Sequence, residues 1–285
     1  MMKKPVVIGI GELLWDLLPD GKKAGGAPVN FVYHVSRLGA EGYAVTAVGD
    51  DVLGDGIVAQ LERCGINYMI EKVGFPTGTV GVELDMGIPR YSICENVAWD
   101  HIPLMARAME TATRADAVCF GTLAQRSPVS RATIRTVVEN TPPQALRCFD
   151  VNLRQHYYDK EIIEQSLAMC NLLKINDEEL SVLKDMSGLS GSDRDACRWF
   201  VEKYGLRYLI LTGGASFSAV YSAGMQGEYY IETPKVEVVD TVGAGDAFLG
   251  AFVAAILKGR SVAEAHRSAV ERAALVCTAT GAWCF

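Results

Sequence analysis

The chain has 285 residues, 49% of them hydrophobic, and a formal net charge of −7 with a sequence pI near 5.2. That length and apolar content suit one large α/β core, and the acidic balance argues against a nucleic-acid-binding surface. Eight cysteines are scattered without CxxC spacing and without clustering around the four histidines, so buried free thiols in a reducing compartment are expected.

Met1 to Pro5 runs straight into a short strand with no long apolar segment, and no apolar run is long enough to cross a bilayer. A cytoplasmic protein without a membrane partner is expected. Val6 to Ile10 is continuously apolar and ends in Gly9-Ile10-Gly11, the pattern of a buried parallel strand whose carboxyl end meets a ligand. No third glycine opens a helix after it, so it is not a dinucleotide fingerprint. Asp16 follows among apolar neighbours, where a carboxylate is costly unless paired or used. It is either an acceptor for two adjacent hydroxyls of a ligand or a surface residue of a hairpin. Gly25-Gly26-Ala27-Pro28-Val29-Asn30 opens a helix: Pro28 suits its first position, Val29, Val32, Val35 and Leu38 give its apolar face, and Gly39 ends it. The two glycines let a small ligand approach the backbone, and Asn30, one turn in, can donate and accept toward a hydroxyl. His34, on the flank of the same helix, reads as solvated or packed rather than as a ligand.

Ala44 to Val48 is a second apolar strand, closed by Gly49-Asp50-Asp51, whose carboxylates fit fixing a loop better than binding metal. Ile57 to Cys64 is an amphipathic helix that stops at Gly65, which sets a βαβ rhythm and predicts a parallel sheet. From Pro76 the period changes to two. Thr79, Gly81, Glu83 and Asp85 alternate with Val80, Val82, Leu84 and Met86, Gly87-Ile88-Pro89 turns, and Arg90 to Cys94 returns. This is an inserted antiparallel hairpin, suited to a lid over a site or to an edge that pairs with another subunit. Arg90 is a substrate contact at that lid or a plain exposed charge.

Ala117 to Gly121 is a strand and Val129 to Val138 the helix after it. Arg147 to Arg154 reads as a strand whose last residues turn polar, and polar groups at the carboxyl ends of parallel strands line a ligand crevice. Arg154 could there offset phosphate charge. Leu172 to Ile175 runs into Asn176-Asp177-Glu178-Glu179. Asn176 or Asp177 caps a helix through Met186, with Glu178 or Glu179 supporting the cap. Tyr208 to Gly214 is a strand ending in a glycine corner.

A strand-like run (Tyr229 to Ile231, then Val236 to Val239) leads to Asp240-Thr241-Val242-Gly243-Ala244-Gly245-Asp246-Ala247-Phe248. An apolar helix from Ala247 to Leu257 follows, and another runs from Val262 to about Thr278 before Gly281-Ala282-Trp283. Glycines at the mouth of a helix leave backbone N–H groups pointing outward, an anion site by geometry and dipole. Asp246, in that first turn as an ionised carboxylate, is placed to take the proton of a hydroxyl while the amides hold a phosphoryl group. There is no GxxxxGK[ST] and no protein-kinase HRD or DFG set, so any phosphate cradle must be this terminus.

Two of these strings resemble the signatures of the ribokinase-like, or PfkB, carbohydrate kinases. Asp240 to Asp246 is similar to DTxGAGD, and Gly25 to Gly39 to GGAxxNxAxxxxxLG. The resemblance implies that Asp246 is the catalytic base, that the amides of Gly243, Ala244 and Gly245 form the anion hole, and that Gly25, Gly26 and Asn30 touch the sugar. Gly49-Asp50-Asp51 with Gly54 matches a further family pattern. Asp150, Asn152 and Arg154 match D-x-N-x-R and face the reaction zone. Asn176 and Glu179 match NxxE, which organises Mg²⁺-bound phosphates largely through water, so a helix cap and a phosphate role stand together there. Thr212 and Gly214 fall at the nucleotide corner. A monovalent cation, K⁺, is implied between the Asp240 segment and the loop near Gly281-Ala282, in a chain that stops at Phe285, sooner than many members. Pro76 to Asp100 looks like the bacterial fructokinase branch, which makes Arg90 and Asn96 candidates for substrate contact.

The expected fold is one doubly wound, mostly parallel α/β domain over residues 1–285 with a small β-sheet lid from about 12–24 and 74–100. The expected activity is transfer of the ATP γ-phosphate to the primary hydroxyl of a ketose, with fructose first and 2-keto-3-deoxygluconate or another sugar second. Sugar, ATP and Mg²⁺ are the partners, and lid-to-lid pairing suggests a homodimer. A catalytically idle sugar-binding regulator is the alternative of a different class. A nucleotide-binding oxidoreductase lacks its GxGxxG.

Overall fold

A strand covered on both faces must be apolar throughout, and Val6–Ile10 (β1) is buried at every position. The computed structural model describes residues 3–18, 21–85, 88–224 and 228–284, with the backbone alone at 82–85 and 88–91. After β1 the chain leaves the main layer as an antiparallel pair, Leu14–Leu18 (β2) and Gly21–Gly25 (β3). It re-enters through Ala27–Arg37 (α1), Glu41–Gly49 (β4), Val52–Arg63 (α2) and Asn67–Val73 (β5). Gly78–Asp85 (β6) and Ile88–Ile93 (β7) pair antiparallel. Strict alternation then resumes: Ala106–Ala112 (α3), Ala117–Gly121 (β8), Pro128–Glu139 (α4), Leu146–Asp150 (β9), Lys160–Met169 (α5) and Leu172–Asn176 (β10). Asp177–Ser187 (α6) and Asp193–Tyr204 (α7) precede Tyr208–Gly213 (β11), Phe217–Ser222 (β12) and Tyr229–Glu232 (β13). Ala244–Leu257 (α8) and Val262–Cys277 (α9) complete the order.

The large sheet runs β13-β12-β11-β10-β9-β8-β1-β4-β5, parallel from β11 to β5 and antiparallel at β12 and β13. The small sheet runs β3-β2-β6-β7. One apolar cluster joins the sheet to α1, α2, α8 and α9, and the other joins its opposite face to α3 through α7. The connections reverse direction at β1, which has β4 on one side and β8 on the other. Doubly wound sheets hold their ligands beyond the carboxyl ends of the strands at such a reversal.

Several local readings shift. The strand from Arg147 ends at Asp150 rather than Arg154, because Asn152 takes a left-handed φ of 42° that no ladder accommodates. The run through Val239 ends as a strand at Glu232. Pro234 has no N–H to give a ladder, and Val238 and Val239 are each 60% exposed. Pro28 lies at the second helical position, behind Ala27. The helix after β4 starts at Val52, capped by Asp51, which accepts from the amides of Gly54 (2.7 Å) and Thr77 (2.8 Å). Met86 and Gly87, at the expected hairpin turn, lie outside the described residues. Cys119, Cys148, Cys170 and Cys197 are buried free thiols, while Cys94 is exposed. No helix among the described residues is long and apolar enough to cross a membrane.

Candidate active site

The carboxyl ends of β1, β8, β9, β10 and β11 open into one cavity of about 1530 Å³, roofed on one side by the small sheet and reached by the first turn of α8. Gly243 caps α8 with φ 79°, and a Cβ there would lie 2.4 Å from Cβ of Ala282. Both facts require glycine. The Ala244 amide is turned back onto the Thr241 carbonyl at 3.2 Å. Of the three amides implied as an anion hole, that of Ala244 is thus already engaged by the preceding loop.

Asp246 sits half-buried in the same turn and faces the cavity. Its Oδ2 accepts a hydrogen bond from Asn30 Nδ2 at 2.7 Å, and Asn30 Oδ1 accepts one from Trp283 Nε1 at 2.7 Å. The carboxyl is pushed up to about 6, first by burial and then by the Asp150 carboxylate, against the pull of Lys174, Asn30 and Arg154. Desolvation outweighs the helix-end charge and lifts the carboxyl, which near 6 is still mostly ionised at neutral pH.

Beneath Gly245 lies a residue that the strand pattern passed over. Lys174, on β10, is 7% exposed, and its Nζ lies 2.9 and 3.2 Å from the two oxygens of Asp150. A Cβ on Gly245 would come within 2.9 Å of that Nζ, so the ammonium is packed under the first turn of α8. Burial works against its charge, but Asp150, Glu179 and Asp246 outweigh it and hold the lysine protonated. The signal was legible, since a charge interrupts Leu172-Leu173-Lys174-Ile175, and a buried charge needs a partner.

Asn176 and Glu179 form a reciprocal cap at the start of α6. Asn176 Oδ1 accepts from the Glu179 amide at 2.7 Å, and Glu179 Oε2 accepts from the Asn176 amide at 2.9 Å. Glu179 Oε1 also accepts from the Leu153 amide at 3.0 Å, and the side chain is buried, which raises its pKa. The two residues line the cavity, but both carboxylate oxygens of Glu179 are already engaged. Among the described residues no cluster of three or more His, Cys, Asp or Glu could hold a metal ion.

On the opposite wall, Asp16 projects from β2, half-buried, its carboxyl raised by burial. It belongs to a hairpin strand, yet it faces the cavity rather than solvent. Gly25 and Gly26 lie alongside. Gly26 has φ 131°, and a Cβ there would strike the Glu12 carbonyl at 2.2 Å, so the close approach is to the chain's own backbone. Glu12 is 2% exposed, accepts from the Ala27 amide at 3.2 Å, and is pushed up to about 7 by burial. Asp240 accepts from the amides of Val242 (3.0 Å) and Gly281 (2.9 Å) and pairs with Lys23 Nζ at 3.6 Å. Burial would raise its pKa, but these partners together lower it. A lysine of the small sheet thus stands beside the carboxylate implied as a cation ligand.

Arg154 is exposed at the cavity rim, Thr212 bonds the Ile175 carbonyl at 3.4 Å, and Gly214 takes φ 51°. Phe217, Val236 and Val238 add an apolar wall on that side. Asn96 is not in this cavity. It lies in a separate hollow of about 380 Å³, its Oδ1 3.0 Å from His101 Nε2. Arg90 is placed on β7 opposite Glu83, but its side chain lies outside the described residues. His34 is fully buried and held near 3 by burial and by Arg272, a packed residue as expected.

Comparison with known proteins bears on this arrangement. The family model described as pfkB family carbohydrate kinase matches residues 20–283. A fructokinase of Escherichia coli is 28% identical over 276 residues, covering 88% of this chain and 83% of the relative. An uncharacterized sugar kinase of Pyrococcus horikoshii, solved in complex with ATP, is 26% identical with a TM-score of 0.81, covering 98% of this chain and 94% of that one. A double mutant of a Vibrio cholerae fructokinase, solved with fructose, ADP and potassium ion, shares the fold at a TM-score of 0.80 and 19% identity, over 98% of this chain and 94% of that one.

Proposed function

The chain belongs to the pfkB family of carbohydrate kinases, and from that premise we propose that it transfers the γ-phosphate of ATP to the primary hydroxyl of a ketose, with fructose to fructose 6-phosphate as the assigned reaction. The observation that carries this reading is the 2.7 Å bond from Asn30 to Asp246 at the mouth of α8. It brings the sugar-side amide, the base and the anion-binding amides to one point of one cavity.

Asp16, Gly26 and the second N–H of Asn30 hold the sugar. With Oδ2 held by Asn30, Asp246 takes the hydroxyl proton at Oδ1 as the hydroxyl oxygen bonds to the γ-phosphorus and ADP departs. The amides of Gly243 and Gly245 and the guanidinium of Arg154 meet the charge on the migrating group. Lys174 supplies a fixed positive charge beneath that turn. Mg²⁺ enters with the nucleotide as part of the substrate. Glu179 braces the Leu153 and Asn176 backbones that shape the phosphate side, and Thr212 and Gly214 border the nucleotide. The small sheet acts as a lid: it carries Asp16 and Lys23, and its closure excludes water, the competing acceptor.

Fructose is supported by the Pro76 to Asp100 pattern and by the fructokinase relatives. An ATP-coupled assay over fructose, 2-keto-3-deoxygluconate, ribose and other sugars, run with and without K⁺, tests the assignment. The expected result is the highest kcat/KM with fructose. A higher value for another sugar reassigns the substrate, and no turnover with any sugar favours the sugar-binding regulator.

A further inference from the structure

We infer that Trp283 is a positioning residue of the active site, whose indole N–H fixes the side-chain amide of Asn30 and, through it, the carboxylate of Asp246. This rests on the reading of Asp246 as the base.

An asparagine amide has two faces of nearly equal shape and opposite polarity, so something must decide which way it points. Here the neighbours decide. The indole Nε1 is a donor only, so it must meet Oδ1, and it does so at 2.7 Å. That turns Nδ2 toward Asp246, whose ionised carboxylate is an acceptor only, again at 2.7 Å. Asn30 is 4% exposed, so water has little access to substitute for either partner. Turned over, the amide would set its oxygen against the carboxylate oxygen and its NH₂ against the indole N–H, two repulsions in place of two bonds.

The indole is itself held. Its ring lies 6.4 Å from that of Tyr33 at 27° between planes, and the adjacent Ala282 is buried against Gly243. The same short segment, Gly281 to Trp283, therefore touches the anion-binding turn through Ala282, Asp240 through the Gly281 amide and the base through Asn30. A Trp-to-Asn bond across 253 positions and an Asn-to-Asp bond across 216 join both ends of the chain at the reacting centre.

The other groups facing Asp246 are Asp150 on β9, Lys174 on β10, Arg154 after β9, Glu12 after β1 and the Cys119 thiol on β8. The indole N–H is given to Asn30 Oδ1 and to none of these groups, so its removal acts on Asp246 through Asn30. Trp283→Phe keeps a ring against Tyr33 and removes the donor. Benzothienylalanine at 283, introduced by ligating a synthetic 277–285 peptide at Cys277, removes only the N–H and guards against a packing defect in the phenylalanine variant.

A hydrogen bond to a charged group contributes enough that losing its orientation should raise the Asp246 pKa by about one unit. Titration of the full-length chain labelled with ¹³Cγ-aspartate, with Asp246→Asn to assign the signal, reads that pKa without turnover and is silent to Glu12. The acid limb of kcat/KM should move up in step, with kcat at the plateau falling about three- to tenfold and KM for the sugar changing less. In an Asn30→Ala background the indole substitution should move neither quantity further. An Asp246 titration unchanged by both substitutions, or an equal shift in the Asn30→Ala background, overturns the inference. Absence of sugar phosphorylation by the wild-type chain overturns the kinase reading instead, and leaves the titration to decide the relay.

Discussion

Asp246 is where one atom's environment sets the behaviour of the molecule. A base must be ionised to accept a proton, and this carboxyl is held near 6 by burial and by Asp150. The proposed reaction therefore slows as pH falls through about 6, approaching tenfold per unit below it. That limb should appear in kcat/KM measured from pH 5 to 8. Asp246→Asn keeps the shape and removes the base. Its turnover should fall by at least about a thousandfold, while sugar affinity measured calorimetrically stays within a few-fold. Turnover near the wild-type value in that variant would remove Asp246 from its role. Asp246 and Asn30 were readable because the polar residues of both signatures lie at helix starts, where local chemistry is constrained. Trp283 and Lys174 were not assigned, because their partners come from segments that only tertiary packing brings near.

At the scale of elements, two helix starts carry the site, and each depends on a glycine or a buried acid. Gly243→Ala adds a Cβ that meets Ala282 at 2.4 Å in a backbone with φ 79°. The turn must open, and kcat/KM should drop at least about a hundredfold, with the circular-dichroism spectrum retained. A wild-type rate would show that this turn does not hold the phosphate. At the start of α1, Glu12 is raised from 4.5 to about 7 by burial. Above that value the ionised form is buried at a cost that the unfolded chain does not bear, and the cost disappears as pH falls toward 4.5. Glu12→Gln removes the titration. Relative to wild type its unfolding free energy should rise by about 2–3 kcal/mol between pH 5 and pH 8, measured by urea denaturation at both pH values. A constant difference between the two would exclude a titrating Glu12.

For the molecule as a whole, the doubly wound sheet was largely legible in the chain. β1 and β8 fall at the predicted residues, and β11 ends one residue short, at Gly213, because strands buried on both faces must be apolar end to end, and turns must interrupt them. Tyr229 to Ile231 is a strand as expected, but its continuation through Val236 to Val239 misled for the converse reason: Val236 and Val238 line a cavity and look like a strand without having one to pair with. Assembly is less constrained by sequence. On β2, Asp16 faces the cavity, so Leu17, 40% exposed, faces away from it on the outer side of the small sheet. If lids pair, sedimentation at micromolar concentration should give a species of twice 30.8 kDa, and Leu17→Glu should return it to the monomer. A monomeric wild-type chain would exclude that pairing.

The bonds that span 216 and 253 positions also bear on synthesis. A nascent polypeptide that has emerged from the ribosome only through β13 already owns Asp16, Asn30 and Arg154, yet has neither Asp246 nor the Gly243 turn. The cavity is therefore assembled only once α8 and α9 have been translated and α8 has docked on α1, and a chain arrested after β13 should show none of the proposed phosphoryl transfer.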